Sequence, residues 1–194
     1  VVVPQPKSAT ISADKMNVVY RGLPNPMTIS FAGISDDKVN ASAPGLSKVG
    51  NGKYMLKPAG GGDVTVTVTG KIDDKTVSDK KIFRIKNIPG PSGSIGGEFG
   101  STKGAKSRLE VSEVKAILQD FVYDLNCQVQ QFTFKIQGQP AVIVNGNKVN
   151  AQCKAAMARA GRGDQVTITD IKYKFVGVDG IVPPKCAPFV YEIQ

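Results

Sequence analysis

Several groups of residues have the types and spacings that chemistry uses. Gly100, four residues and then Ala105-Lys106-Ser107 approximate a phosphate-binding loop, with alanine where the second glycine belongs. Such a loop works when a buried strand leads into it and a helix follows, so that backbone N–H groups point at phosphate. Residues 94–99 do not read as that strand and no β-α-β pattern surrounds them, so a basic surface loop is the expectation. Carboxylates pair as Asp36-Asp37, Asp73-Asp74, Glu110 with Glu113, and Asp120 with Asp124. Acid–base cleavage of a glycosidic bond needs two carboxyls facing each other across a cleft. The adjacent Asp pairs read as turn residues and the spaced pairs as caps or solvated faces. Arg162-Gly163-Asp164 spells an adhesion tripeptide, but it falls where Gly and Asp do turn chemistry.

The chain has no histidine. Ser-His-Asp and Cys-His catalysis and imidazole zinc sites are therefore excluded. The cysteines, Cys127, Cys153 and Cys186, match no metal-binding spacing. An odd count permits at most one internal disulfide, with three possible pairings. No catalytic, cofactor or metal residue is assigned, and the expectation is a protein that is not an enzyme. The net charge of +9 points first to nucleic acid. The excess is spread over both halves, no basic run exceeds Lys80-Lys81, and aromatics are 7%. A strand-tracking groove combines clustered cations with stacking rings, so neither nucleic acid nor a small-molecule substrate is expected. No stretch approaches the roughly 20 apolar residues that span a bilayer. The opening Val1-Val2-Val3-Pro4 carries no initiator methionine or signal peptide, which suggests a piece of a longer protein.

The elements that would position these groups are mostly strands. Ala9-Thr10-Ile11-Ser12, Val18-Val19-Tyr20 and Met27-Thr28-Ile29-Ser30-Phe31 are β-rich, with Leu23-Pro24-Asn25-Pro26 as a turn. Gly50-Asn51-Gly52 suits a hairpin. In Val64-Thr65-Val66-Thr67-Val68-Thr69 valines take one face and threonines the other, the signature of a half-buried strand. Residues 71–74 should turn the chain, with Val77 and residues 82–86 returning. Residues 87–93, with Pro89 and Pro91, read as a stiff linker.

Beyond the linker, residues 112–120 read as a short helix capped by Ser112. Residues 121–125, 131–136, 165–173 and 189–193 read as strands. Residues 141–149 read as a type I′ hairpin around Asn145-Gly146. Asn150 caps a second helix, residues 151–160, ended by Gly161. The expected fold is all-β: two tandem immunoglobulin-like β-sandwich domains, residues 1–88 and 89–194, the second with two short helical insertions. In the C-terminal segment Pro183, Pro184, Phe189 and Tyr191 are candidate partner-binding residues, the lesser of two readings. The competing reading there is an edge strand guarded by prolines. The first helical insertion is a second place for core packing or a partner contact.

The order of motifs adds a resemblance. Residues 9–22, followed by Asn25-Pro26 and Ile29-Ser30, resemble the opening of the penultimate domain of the GldM/PorM family. Phe83-Arg84-Ile85-Lys86, Ile88-Pro89 and Gly96-Gly97 resemble that family's junction with its last domain. The resemblance implies the last two of the periplasmic β-domains of an inner-membrane-anchored homodimer. It also implies an inner-membrane motor partner of the GldL/PorL type, reached through the membrane-anchored part. A further implication is an outer-membrane-associated ring of GldK/GldN or PorK/PorN type. The expected role is a non-catalytic strut in type IX secretion and gliding motility, without cofactor. The alternative is an extracellular immunoglobulin-like adhesion or carbohydrate-binding module. The absence of tryptophan argues against sugar stacking.

Overall fold

Alternation of valine and threonine sets the longest hairpin in the first half. The computed structural model describes residues 9–13 and 16–194. By contact the chain divides into two compact units, Val1–Ile88 and Pro89–Gln194.

In the first unit the strands are β1 (Ala9–Ala13), β2 (Val18–Tyr20), β3 (Asn25–Phe31), β4 (Asn40–Ser42), β5 (Leu46–Gly50), β6 (Lys53–Leu56), β7 (Asp63–Ile72) and β8 (Lys75–Lys86). They form two four-stranded sheets, ordered β1-β3-β6-β5 and β2-β8-β7-β4. Val64, Val66 and Val68 point into the core and the intervening threonines outward. Asp73 and Asp74 both take positive φ, 47° and 60°, the two-residue geometry that matches the twist of a hairpin. The core gathers Ile29, Phe31, Tyr54, Leu56, Val66, Val68 and Phe83 from both sheets, which makes the unit a sandwich. The chain switches sheets at its start: β1 pairs antiparallel with β3, and β2 runs parallel to β8.

Asn25 and Pro26 belong to β3 and not to the expected turn. The reason is the Asn25 amide, which is 1% exposed. Its Oδ1 accepts from the Tyr20 N–H at 2.8 Å, and its Nδ2 donates to the carbonyls of Leu23, Leu56 and Tyr20 at 2.8–3.0 Å. A side chain is thus supplying the backbone bonds of a corner.

The second unit contains β9 (Ser92–Ile95), β10 (Glu98–Phe99), β11 (Ser101–Gly104), α1 (Lys106–Glu110), β12 (Val114–Ile117), β13 (Cys127–Ile136), β14 (Val142–Asn145), α2 (Ala151–Ala158), β15 (Gln165–Phe175) and β16 (Phe189–Ile193). A three-stranded sheet, β10-β9-β12, faces a five-stranded sheet, β11-β16-β15-β13-β14. Phe132, Phe134, Ile136, Ile168, Phe189 and Tyr191 are buried along the larger sheet, and Ile95 and Val114 on the smaller. The molecule is all-β with two immunoglobulin-like sandwiches.

Several expectations for this half are corrected. Residues 112–120 are not helical: Val114 and Ala116 are buried in alternation on β12, which pairs antiparallel with β9. The first helix lies earlier, at Lys106–Glu110. Residues 121–125 form irregular backbone instead of a strand. The type I′ hairpin at 141–149 is absent. Asn145 stays in β14, which pairs with β13, and only Gly146 of that step has positive φ. Residues 147–149 turn instead to 112–114, through bonds from the Val114 N–H to the Asn147 carbonyl (2.7 Å) and from the Val149 N–H to the Ser112 carbonyl (3.2 Å). The cap at Asn150 is as expected, its Oδ1 accepting from the Cys153 N–H at 3.0 Å, but the helix stops at Ala158. Within the expected linker, strand structure stops at Lys86 and resumes at Ser92. Gly90 is packed against the Lys185 carbonyl, where an added Cβ would lie 2.5 Å away, so the 87–93 segment is not a free linker along its length.

Candidate interaction surface

Several of the groups singled out for their chemistry have structural work in the fold. Lys106, at the place of a phosphate-loop lysine, donates from Nζ to the Ala160 carbonyl at 2.6 Å. The preceding Ala105 carbonyl accepts from the Tyr191 Oη at 2.9 Å. Gly104 lies so close under that hydroxyl that a Cβ there would collide with it. The loop is closed by core contacts and leads into a helix of only five residues.

Asp164 of the Arg-Gly-Asp tripeptide turns its Oδ2 back to accept from the Gly161 N–H at 2.8 Å, while the Gly163 N–H bonds the Ile193 carbonyl at 2.7 Å. The tripeptide is a corner tied to β16. Among the carboxylates, Asp37 accepts from the Ser35 hydroxyl, which lowers its pKa from the ordinary range. Asp73-Asp74 make the β7–β8 turn. Glu113 pairs with Lys148 at 3.3 Å, and Asp120 sits in a turn at φ 52°. Among the described residues no group of acids and cysteines is arranged to hold a metal.

The expected binding residues separate. Phe189 and Tyr191 are both 0% exposed. Their strand, β16, lies between β11 and β15 and is not an edge. Period-two alternation brings Phe189, Tyr191 and Ile193 to the core face. Pro183 is exposed and Pro184 half-buried, in the irregular segment before β16. The Pro184 carbonyl accepts from the Tyr173 Oη at 2.7 Å.

The accessible apolar surface lies elsewhere in the second unit. A groove of ≈780 Å³ is lined by Leu118, Tyr123, Leu125, Cys127, Asn147 and Val176, among others. Val122, Val176 and Val182 are exposed in the loops around this unit, Val182 by 89%. The first unit has a smaller hollow of ≈410 Å³ beside Pro44, Pro58 and Ile85. Sequence reasoning missed the groove because residues 121–125, rich in aromatic and β-branched types, read as a strand. The only cue was a cluster of apolar residues between Asp120 and Asn126, where turn residues bound a short segment.

Two sandwiches in tandem, whose polar motifs are spent on turns, caps and corners, define a structural immunoglobulin-like module. The GldM third-domain family matches residues 8–86 and the GldM C-terminal domain family matches residues 89–194. The chain belongs to the GldM family, a structural component of gliding motility and type IX secretion.

No curated protein matches the chain. Solved structures that resemble it include the fibronectin(III)-like modules of Clostridium thermocellum CbhA, at 10% identity, covering 96% of this chain and 94% of that one, with a TM-score of 0.34. Human protocadherin-24 EC1-2 is similar at 11% identity, 95% and 97% coverage and a TM-score of 0.30. Bacteroides uniformis β-glucuronidase 3 is similar at 15% identity, with 89% of this chain and 25% of that one covered and a TM-score of 0.32. Nothing about function follows from likenesses of that size.

Proposed function

We propose that this chain is the distal part of a non-catalytic periplasmic strut, which links an inner-membrane motor to an outer-membrane-associated ring in type IX secretion and gliding. The observation behind this reading is the match of two consecutive family domains across the chain, third then fourth. The fold supports it. Load is borne well by sheets whose strands are locked on both sides, and each unit places its longest strands, β8 and β15, inside a sheet. Asp73, Asp74 and Asp164, among the carboxylates weighed for chemistry, shape or tie turns. In this reading the parent protein is anchored in the inner membrane and forms a homodimer. Its motor partner is of GldL/PorL type and its ring components are of GldK/GldN or PorK/PorN type. The open groove of the second unit, lined by both apolar and polar side chains, is the face offered to a partner, with Pro183 exposed in the same unit.

The test is an exchange in the parent protein. Residues 89–194 are replaced by an unrelated sandwich of similar size, and export of a type IX cargo is measured alongside assembly of the inner-membrane motor. The strut reading expects export to stop while the motor still assembles. Undiminished export would contradict it. Light scattering on the isolated chain is expected to give twice its 20.5 kDa.

A further inference from the structure

All three cysteines are free thiols, and the segments that carry two of them meet at Tyr173. Cys127 opens β13 and stands opposite Phe175 at the end of β15. The Val176 N–H bonds the Asn126 carbonyl at 2.9 Å and closes that end of the pair. Further along, Val129 stands opposite Tyr173, whose ring meets that of Phe175 edge-on at 5.4 Å. The chain leaves β15 here, wanders through residues 176–188 and returns to this same place. Its return is fixed twice. The Tyr173 Oη holds the Pro184 carbonyl at 2.7 Å. Ala187 exchanges backbone bonds with Pro91 and Gly93, both 2.8 Å. Cys186 is the residue held between those two anchors, half-buried like Cys127.

We propose that Cys127 and Cys186 are a disulfide-forming pair that staples the 176–188 segment to the start of β13. The charge relations of the three groups agree with this placement. Burial pushes both thiols up to about 11, and the Cys127 charge adds to the rise at Cys186. Burial, and then both cysteines, push the Tyr173 hydroxyl upward. Cys153 is elsewhere, buried in α2 beneath the Asn150 cap. Irregular backbone on either side of Cys186 leaves room for the narrow Cβ separation and dihedral that the bond requires.

The oxidant is a small-molecule or protein disulfide. One cysteine thiolate attacks it, forming a mixed disulfide and releasing one thiol. The second cysteine thiolate then attacks the mixed disulfide, forming the Cys127–Cys186 bond and releasing the other thiol. Two electrons and two protons pass from the pair to the oxidant. At neutral pH little of either thiol is thiolate, the attacking form, and a high-pKa thiolate is a poor leaving group. The bond therefore closes slowly and, once closed, resists exchange, as a structural bridge does. An oxidising periplasm would supply the oxidant, and that clause alone rests on the proposed localisation.

The test uses the purified chain, held in oxidised glutathione at neutral pH, alkylated and mapped by mass spectrometry without reduction. The expected result joins the Cys127 and Cys186 peptides, lighter by two hydrogen atoms, with Cys153 alkylated only after unfolding. Hydrogen exchange within residues 176–188 should slow by about tenfold on oxidation. Alkylation of both Cys127 and Cys186, glutathione adducts on both, or a bridge to Cys153 would each overturn the proposal. Mapping the parent protein from cells separates the two claims. A bridge that forms with glutathione but not in cells supports the pair and counts against an oxidising location.

Discussion

Among the described residues each sandwich buries one polar side chain in its core, Asn25 in the first unit and Ser94 in the second, and the two are treated in opposite ways. The Asn25 amide bonds four backbone groups, and through them fixes the corner where the chain passes from β2 to β3 beside β6. The Ser94 hydroxyl, in the middle of the short sheet, has no hydrogen-bond partner. A buried polar group is structural when its bonds are complete and a cost when they are not. The first unit is organised by such a completed network. The second is organised by packing, with Tyr191, Phe132, Phe134 and Phe189 filling its core, and it tolerates irregular loops around its edges.

That difference can be broken by substitution. The largest effect is expected for Asn25→Ala, which strips partners from several buried backbone groups. The first unit should lose about 3–4 kcal/mol in denaturant unfolding, and a loss under about 1 kcal/mol would deny the network its role. Next comes alkali. Cys127, Cys186, Tyr173 and Tyr191 all have folded-state pKa values raised by burial. Above an ordinary thiol or phenol pKa the unfolded chain releases protons that the folded chain still holds, so folding weakens as pH rises. For the thiols the fall should begin near pH 9 and continue to about 11, the folded value of Cys127 and Cys186. The tyrosines extend it upward. The oxidised chain should lose the Cys127 and Cys186 part and keep that of Cys153, whose thiol is also pushed up by burial; an identical pH profile for both forms would contradict the pairing of Cys127 with Cys186.

A smaller loss, about 1–1.5 kcal/mol, is expected for Tyr191→Phe, which leaves the ring in place and removes the bond to the Ala105 carbonyl. The smallest effect, and the most pointed, is Ser94→Ala. Removing an unpartnered hydroxyl should leave stability unchanged or raise it by up to about 1 kcal/mol. A clear loss would mean that the hydroxyl has work in the fold and that the two units are built alike.

The sequence was readable where one strand's own pattern decides its burial. Residues 64–69 alternate because Val64 meets Phe83 across the hairpin and the threonines meet water. Asn150 announces α2 because a cap acts within three residues. Reading failed where a distant partner decides. The helical look of residues 112–120 yields to β12, since β9 offers Gly93, Ser94 and Ile95 as pairing partners. Asn145-Gly146 suggests a hairpin, but residues 147–149 are drawn off to the 112–114 segment. At the C-terminus the prolines mark an irregular approach correctly. What they could not show is that β16 is inserted between β11 and β15, which turns Phe189 and Tyr191 from surface to core. The groove at Leu118, Tyr123 and Leu125 likewise joins segments far apart in sequence, with Asn147 and Val176 completing its lining.

The most direct measurement of the strut account is equilibrium binding between the folded chain and an isolated ring complex of GldK/GldN or PorK/PorN type. The account predicts saturable binding that Leu125→Asp with Val176→Asp weakens by at least tenfold without unfolding the chain, about 1.4 kcal/mol or more. A correctly folded chain that does not bind the ring at any accessible concentration would contradict it.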